Sequence, residues 1–495
     1  AFGGSESLVT ESGAAGENGS ARIQPATDLE YLGAFRPPPE ASGKRSWSYG
    51  GHGMTYRRGG DPYGPDDGFP GSLLGVGHVH LNYVSEFTIP APVISPARDI
   101  RELRTATTLQ PFVDLTGGRQ TGGLTGTTLA DVQFVRGAPP ERQSRLYWVV
   151  YEYYLPKRPM PTLGWSRPDF GNSDAKGLWR IGEHASAATS RYLFEIPEDW
   201  AARHVSGKRL AAGRSRMVND GSWGPALYAL DPWASDSTPE RKPIAAIEML
   251  KYGKDTPVHD YSNADDWTDG VWLAVGEKSA VVFVGTKAER GRAGGGQYYG
   301  AAGPHGCGAK GYHGEPYYGA MLFYDPADLA AVVAGRAPAH APQPYAVLQI
   351  QNLLFRKGCR RQILGGIAFD RERNLLYVAE TMAVERPEWR PVIHVWRLRD
   401  AGRPADTNPP ATPERLEATS ASDRSVSLRW GPSSDDLGGI IYVVYRDDRP
   451  IAIQIGTSHT DRAVASGETY RYAVEARDSV NNRSERTAPV PVSVH

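Results

Sequence analysis

A three-strand phrase stands near both ends of the first 400 residues, and it constrains the fold more than any other feature of the chain. Residues 51–90 hold Gly53-Met-Thr-Tyr56, a Gly/Pro-rich turn, Ser72-Leu-Leu-Gly-Val-Gly-His78 and then Val84-Ser-Glu-Phe-Thr-Ile-Pro90. Residues 366–398 hold Gly366-Ile-Ala-Phe369, a charged turn, Asn374-Leu-Leu-Tyr-Val-Ala379 and then Val392-Ile-His-Val-Trp-Arg-Leu398. Both read as strand, turn, strand, gap, strand, with a small residue opening the first strand and an aromatic closing it. A β-propeller blade has this grammar, because neighbouring blades bury each other's faces.

Similar strand groups fill the interval. Asp131-Val-Gln-Phe134 faces Arg145–Tyr154 across a turn, Gly270–Val275 leads into Ala280–Gly285, and Gly319–Asp325 follows. Helical segments are few, with 200–203 and Pro326–Ala334 the clearest. A repeat of about 40–50 residues predicts about seven blades between 26 and 400. Leu29-Glu-Tyr-Leu-Gly-Ala-Phe35 alternates as a strand should, and is expected to complete the last blade. Such closure removes exposed sheet edges.

The 56 glycines and 39 prolines suit many short strands joined by turns, an all-β pattern. A formal charge of −1 with no basic stripe excludes a nucleic-acid-binding surface of the usual kind. No apolar run reaches the roughly 20 residues that span a bilayer as a helix, so no transmembrane segment is expected. Residues 1–25, rich in Gly, Ser, Ala and Glu, read as an extended arm. The chain opens on Ala1 with small polar residues after it, as expected once a signal peptide is removed, which predicts a secreted or cell-surface protein. In that setting Cys307 and Cys359 are expected to form a disulfide between two loops.

Residues 401–413 are a Pro-rich, semi-rigid linker. From 414 to 495 the pattern becomes clean alternation: Ser425-Val-Ser-Leu-Arg-Trp430, Ile441-Tyr-Val-Val-Tyr-Arg446, Tyr470-Arg-Tyr-Ala-Val-Glu-Ala476 and Val490–Val494. These strands, with the 433–439 segment and Asp478-Ser-Val-Asn-Asn482, resemble a fibronectin type III domain. The resemblance implies a β-sandwich of the kind appended to bacterial carbohydrate-active enzymes. The phrases Tyr31–Arg36, Tyr49–Gly53, Asp265–Leu273 and Pro391–Trp396 resemble those of exported bacterial β-propeller proteins, a likeness that implies a fold but no activity.

Two polar segments are not needed for packing blades. One is Tyr49-Gly-Gly-His52-Gly-Met-Thr-Tyr56 together with His78 and His80. The other, 298–318, carries His305, Lys310, Tyr312, His313 and Tyr317 among glycines that permit close backbone approach. Propeller loops converge, so distant segments can share a pocket. Elimination across a uronate sugar needs a base for the C5 proton, an acid for the leaving oxygen and positive charge against the carboxylate. The candidates are His52, His78 or His313, then Tyr56 or Tyr312, then Arg360, Arg361 or Lys310. Any one of these histidines is more often a strand cap than a base. Asp266 and Trp267 read as a carboxylate beside a sugar platform, although neighbours on a strand point apart. His78 and His80, at i and i+2 of a strand, would face one side and could share a divalent metal, whereas Asp61, Asp66 and Asp67 lie in a Gly/Pro-rich turn that could hold calcium but lack the regular D-x-D-x-D-G spacing, so they read as a solvated turn. The expected function is recognition of an extracellular polysaccharide, with polysaccharide lyase or glycoside hydrolase chemistry as its catalytic forms. The rival is a non-catalytic surface, matrix or filament protein that self-assembles through its arm.

Overall fold

The structure, a computed structural model, describes residues 9–11, 21–39, 43–61, 69–122, 126–137, 143–152, 158–172, 174–215, 220–288, 298–299, 312–313, 317–356, 362–384, 388–399, 408–421, 425–435, 440–454, 456–477 and 482–494. Strands dominate, and the longest described helix is Pro326–Val333, opened by Asp325, whose carboxylate accepts from the Ala327 N–H at 2.8 Å.

Five sheets, each built on four antiparallel strands, occupy residues 29–398. Sheet I comprises Met54–Arg57, Phe69–Val76, Val84–Ile89 and Thr108–Val113. Sheet II comprises Thr127–Val135, Arg145–Glu152, Leu163–Ser166 and Lys176–Ile181, with Pro243–Ile244 added parallel at its edge. Sheet III comprises Tyr192–Glu195, Leu210–Gly213, Leu227–Leu230 and Ala246–Leu250. Sheet IV comprises Asp266–Val275, Lys278–Ala288, Tyr317–Tyr324 and Ala346–Gln349. Sheet V takes Leu364–Asp370, Leu375–Val384 and Arg390–Leu398, and its fourth strand is Leu29–Phe35 from the N-terminus. The described sheets number five where the repeat spacing predicts about seven. The discrepancy lies in the connections: the unit of sheet IV alone contains the long stretch between Ala288 and Tyr317, so each unit uses more chain than the assumed repeat.

The two repeated phrases are the first three strands of sheets I and V, and those sheets are neighbours. First strands contact one another in the order I, II, III, IV, V, and the first strand of V contacts that of I. Apolar side chains between consecutive sheets form five separate clusters. Leu74 and Val76 meet Leu129 and Trp148 between I and II, and Leu73 and Phe87 meet Leu375 and Tyr377 between V and I. The remaining three clusters lie between II and III, III and IV, and IV and V. Each sheet thus has an apolar cluster on either side, and the middle strands of the sheets are largely buried.

The small residue opening each phrase has a structural reason. The Gly366 N–H donates to Gly51 O at 2.8 Å, and a Cβ on Gly366 would meet the backbone of Gly53 at 2.7 Å. Only glycine lets the first strands of I and V come this close. The N-terminal strand is secured as expected: Phe35 registers with Ile393 and Tyr31 with Trp396. The Tyr31 hydroxyl lies 2.9 Å from His394 Nδ1, and His394 Nε2 lies 3.1 Å from the fully buried Glu380. Before that strand, Val9–Glu11 pairs antiparallel with Ala346–Leu348 at the edge of sheet IV, so this part of the arm is a strand of its own chain.

Residues 417–493 form a three-stranded sheet (Glu417–Ala421, Ser425–Arg429, Ser458–Asp461) and a four-stranded one (Arg449–Gln454, Ile441–Arg446, Thr469–Arg477, Val490–Ser493). Val426, Leu428, Trp430, Tyr442, Val444 and Tyr472 pack between them in a cluster that shares no residue with those of the first 400.

Candidate functional site

The five first strands run in register around one another, so residues just before them gather at one end and residues just after them at the other. His52 precedes the first strand of sheet I, Arg191 that of sheet III, and Asp266 opens that of sheet IV. Tyr151, near the end of the second strand of sheet II, and Arg214, just past the second strand of sheet III, reach the same end. The Arg191 guanidinium carbon lies 5.2 Å from the Tyr151 ring centroid and that of Arg214 lies 4.9 Å from it, so two cations flank one phenol.

His52 is partly buried and its ring is oriented from below. Nε2 lies 2.9 Å from Tyr49 O, which places the proton on Nε2 and leaves Nδ1 as a buried acceptor with no hydrogen-bond partner among the described residues. Burial, reinforced by the Arg191 charge, pulls the His52 pKa down to about 4, against the opposing pull of the Tyr49 carbonyl and Asp266. The imidazole is therefore neutral at ordinary pH. Burial works against the Arg191 charge, but Tyr151, Asp266 and Asp269 outweigh it and raise its pKa.

Beneath this mouth lies a pair of carboxyl groups that the sequence analysis does not single out. Asp131 and Asp269 sit in the first strands of sheets II and IV, fully buried and hydrogen-bonded to each other. Asp131 also accepts from Val132 N and from Leu193 N of sheet III, both at 2.7 Å. Asp269 accepts from Gly270 N at 2.7 Å and from Ile367 N of sheet V at 2.9 Å. Each carboxyl therefore ties its own sheet to the next. Burial, which outweighs the N–H donors, lifts the Asp131 pKa to about 7; burial and the Asp131 charge push Asp269 well above the carboxylate range. The pair holds a proton at neutral pH. Two carboxyls in mutual contact leave no room for the roughly 5–10 Å separation of a glycosidase pair, and neither is accessible. Their one sequence signal is an acid placed in the interior of a strand.

Several predicted site residues lie elsewhere. Tyr56 is at the far end of its strand from His52, donating to Pro70 O at 3.0 Å, so it cannot act on the same bond as His52. Trp267 and Tyr317 are 1% and 5% exposed and belong to the apolar core, which rules out a sugar platform. His78 does stand at the His52 end, but the strand stops at Val76, and residues 78–81 are a turn. The same-face argument for His78 and His80 therefore fails: their rings stack at 5.0 Å and His78 Nδ1 accepts from the His80 N–H. Among the described residues no group of three His, Cys, Asp or Glu converges as metal ligands would. Glu86, a conceivable third ligand, instead holds Arg57 at 2.9 Å together with Ser72 and Gln110. Tyr312 and His313 form a two-residue strand with Tyr298–Tyr299, and Tyr312 packs against the core between sheets IV and V. His305, Cys307, Lys310, Cys359, Arg360 and Arg361 lie outside the described residues, as do Asp66 and Asp67.

No family model matches the chain. Chitinase C of Streptomyces lividans is 36% identical over 84 residues, covering 17% of this chain and 14% of that enzyme. An alpha-amylase of Niallia circulans is 32% identical over 102 residues, covering 20% of this chain and 8% of the enzyme. The chain thus spans no more than 14% of the length of either relative. A solved structure, that of FN3tt mut, is similar at 17% identity and a TM-score of 0.16, covering 17% of this chain and 97% of its own. No helix among the described residues is long and apolar enough to cross a membrane. The seven strands of 417–493 form a two-sheet, fibronectin type III-like domain.

Proposed function

We propose that residues 26–400 are a closed five-bladed β-propeller, joined by the 401–413 linker to the fibronectin type III-like domain of 414–495. In this reading the protein acts outside the cell, where it binds a polysaccharide over the His52 end of the propeller. The observation that carries the proposal is that His52, Tyr151, Arg191, Arg214 and Asp266, from four different sheets, meet at one end of the first strands.

The residue types suit elimination better than hydrolysis. In an elimination a base removes the sugar C5 proton, the electrons form the C4=C5 double bond, the C4–O bond breaks, and the departing oxygen takes up a proton. Arg191 and Arg214 supply charge for the uronate carboxylate, which acidifies the C5 proton. Neutral His52 offers an acceptor and Tyr151 a hydroxyl donor. Matches to polysaccharide-degrading enzymes, though confined to a short stretch, support a glycan as ligand.

The full chain, incubated with acidic and neutral polysaccharides, is expected to generate the ultraviolet absorbance of an unsaturated uronate. His52→Ala and Arg191→Ala should each abolish it. New reducing ends without that absorbance would refute elimination. Absence of both binding and cleavage over the whole panel would refute the glycan reading and favour the assembly role. The cis pairing of Val9–Glu11 with sheet IV weighs against that role, since the arm already fills an edge of its own chain.

A further inference from the structure

The opposite end of the first strands carries a second set of features. Tyr56, Phe134, Phe194 and Asp370, where the first strands of four sheets finish, line a cavity of about 230 Å³. Past Arg58, Phe134 and Arg136 it meets an open groove of about 670 Å³, within the range of ligand clefts. Four arginines from three segments line that groove: Arg57, Arg58, Arg136 and Arg167.

Two of the four are matched. Arg57 forks onto Glu86 at 2.9 and 3.2 Å, and Arg58 pairs with Glu372 at 2.5 Å. Arg136 and Arg167 are exposed, and neither forms an ion pair among the described residues. The wall that presents Arg167 is fixed: the Pro168 carbonyl accepts from Arg57 Nη1 at 3.3 Å and from Gln110 Nε2 at 2.9 Å. Phe134 lies half-buried between the arginines, and Gln143 and Ser144 add neutral polar groups along the lining. Asp169 is the one acid among the described residues of the lining.

We infer that this groove binds an acidic oligosaccharide, with Arg136 and Arg167 gripping sugar carboxylates and Phe134 stacking on a pyranose face. The guanidinium fork matches a planar oxyanion through two parallel N–H donors, and the aromatic face suits the C–H side of a sugar. Simple ion pairing would not need the aromatic. The groove lies at the end away from His52, so the inference stands whether or not elimination takes place there. It makes the propeller a two-ended glycan binder, holding the polymer at one end while the other works on it.

The test is calorimetric titration of the full chain with tetragalacturonate, with cellotetraose as the uncharged counterpart and sodium sulfate as the oxyanion alone. Wild type is compared with R136S/R167S, R136E/R167E and H52A. Both arginines are exposed, so the variants should keep the wild-type near-ultraviolet circular dichroism. Tetragalacturonate binding at the groove is expected to weaken at least tenfold in the serine pair, to be lost in the glutamate pair so that only what the His52 end binds remains, to weaken with added salt, and to persist in H52A. Equal affinity in wild type and the serine pair would overturn the assignment. Cellotetraose binding as tightly as tetragalacturonate, or sulfate binding as tightly, would overturn the ligand class. Loss of binding in H52A with the arginine variants unaffected would move the site to the other end.

Discussion

The substitution Asp269→Asn should change how stability depends on pH more than it changes stability itself. In the folded protein the Asp131–Asp269 pair keeps a proton that two free aspartates would release near a pH of about 3.9. Asp131 gives up its proton only near about pH 7 and Asp269 higher still, because burial disfavours each charge and the two charges repel. Between about pH 4 and pH 7 the native state therefore binds up to two protons more than the unfolded chain. The sign follows from linkage: stability falls as pH rises wherever the native state binds more protons. At about 1.4 kcal/mol per unit over roughly three units, the Asp131 proton alone lowers stability by about 4 kcal/mol between pH 4 and pH 7, and Asp269 acts in the same direction.

The substitution removes one of the two acids and presents an amide N–H to the Asp131 carboxylate, which then ionises much lower. The cost is an acceptor, since the amide cannot also receive the Ile367 N–H, a loss of about 1–3 kcal/mol at all pH values. The variant should therefore be weaker than wild type at pH 4.5, and the gap should close or reverse by pH 8. Urea unfolding followed by tryptophan fluorescence is suited to the measurement, because Trp430 is the one tryptophan of twelve beyond residue 400. Other buried groups shape the common background. Burial raises Asp265 to about 6, which removes stability as pH climbs from 4 to 6, whereas the lowered pKa of His52 removes stability as pH falls below 6.5. Both act equally in wild type and variant, so the difference curve isolates the pair. Parallel stability–pH curves for the two proteins would refute the shared proton.

Tyr31→Phe should cost about 1–3 kcal/mol by leaving the buried His394 ring nitrogen without its hydroxyl partner. Urea titration checks it, and a loss below about 0.5 kcal/mol would show that the closing strand does not depend on that bond. Trp430→Ala removes the largest side chain from the C-terminal sandwich, at about 3–5 kcal/mol. Calorimetry should show one transition move while another stays, and a shift of both would contradict the separate cores. If neutral His52 accepts the substrate proton, the acid limb of the rate profile should lie near pH 4. A limb near the usual histidine value would remove His52 from that role.

The fold is legible in the chain where its determinants are local. The first, second and third strands of sheets I and V can be read because turns and alternation announce them, and Gly53 and Gly366 mark the approach that their packing requires. The number of sheets cannot be read the same way, because it depends on how much chain the connections absorb, and 289–316 has no counterpart of similar length in the other units. Asp131 and Asp269 are hidden for a different reason. They lie in non-adjacent sheets, and nothing in either strand states that the two meet.

The misplaced site residues share one physical cause, which is that residue type says nothing of position along a strand. Tyr56 is four residues from His52, but in extended chain that is about 13 Å and the opposite end of the strand. His78 and His80 follow a strand that has already ended, so a strand's alternation does not apply to them. Position sorts the polar residues correctly: those before a first strand, His52, Arg191 and Asp266, collect at one end, and those after it, Arg58, Arg136 and Arg371, collect at the other. The first set mixes an imidazole, a carboxylate and a cation, as proton transfer requires, whereas the second gathers arginines, with Asp370 and Glu372 among them, at the rim of a cavity. In the proposed reading chemistry falls at one end of the first strands and the added grip at the other, and variants at one end should leave the other end's behaviour unchanged.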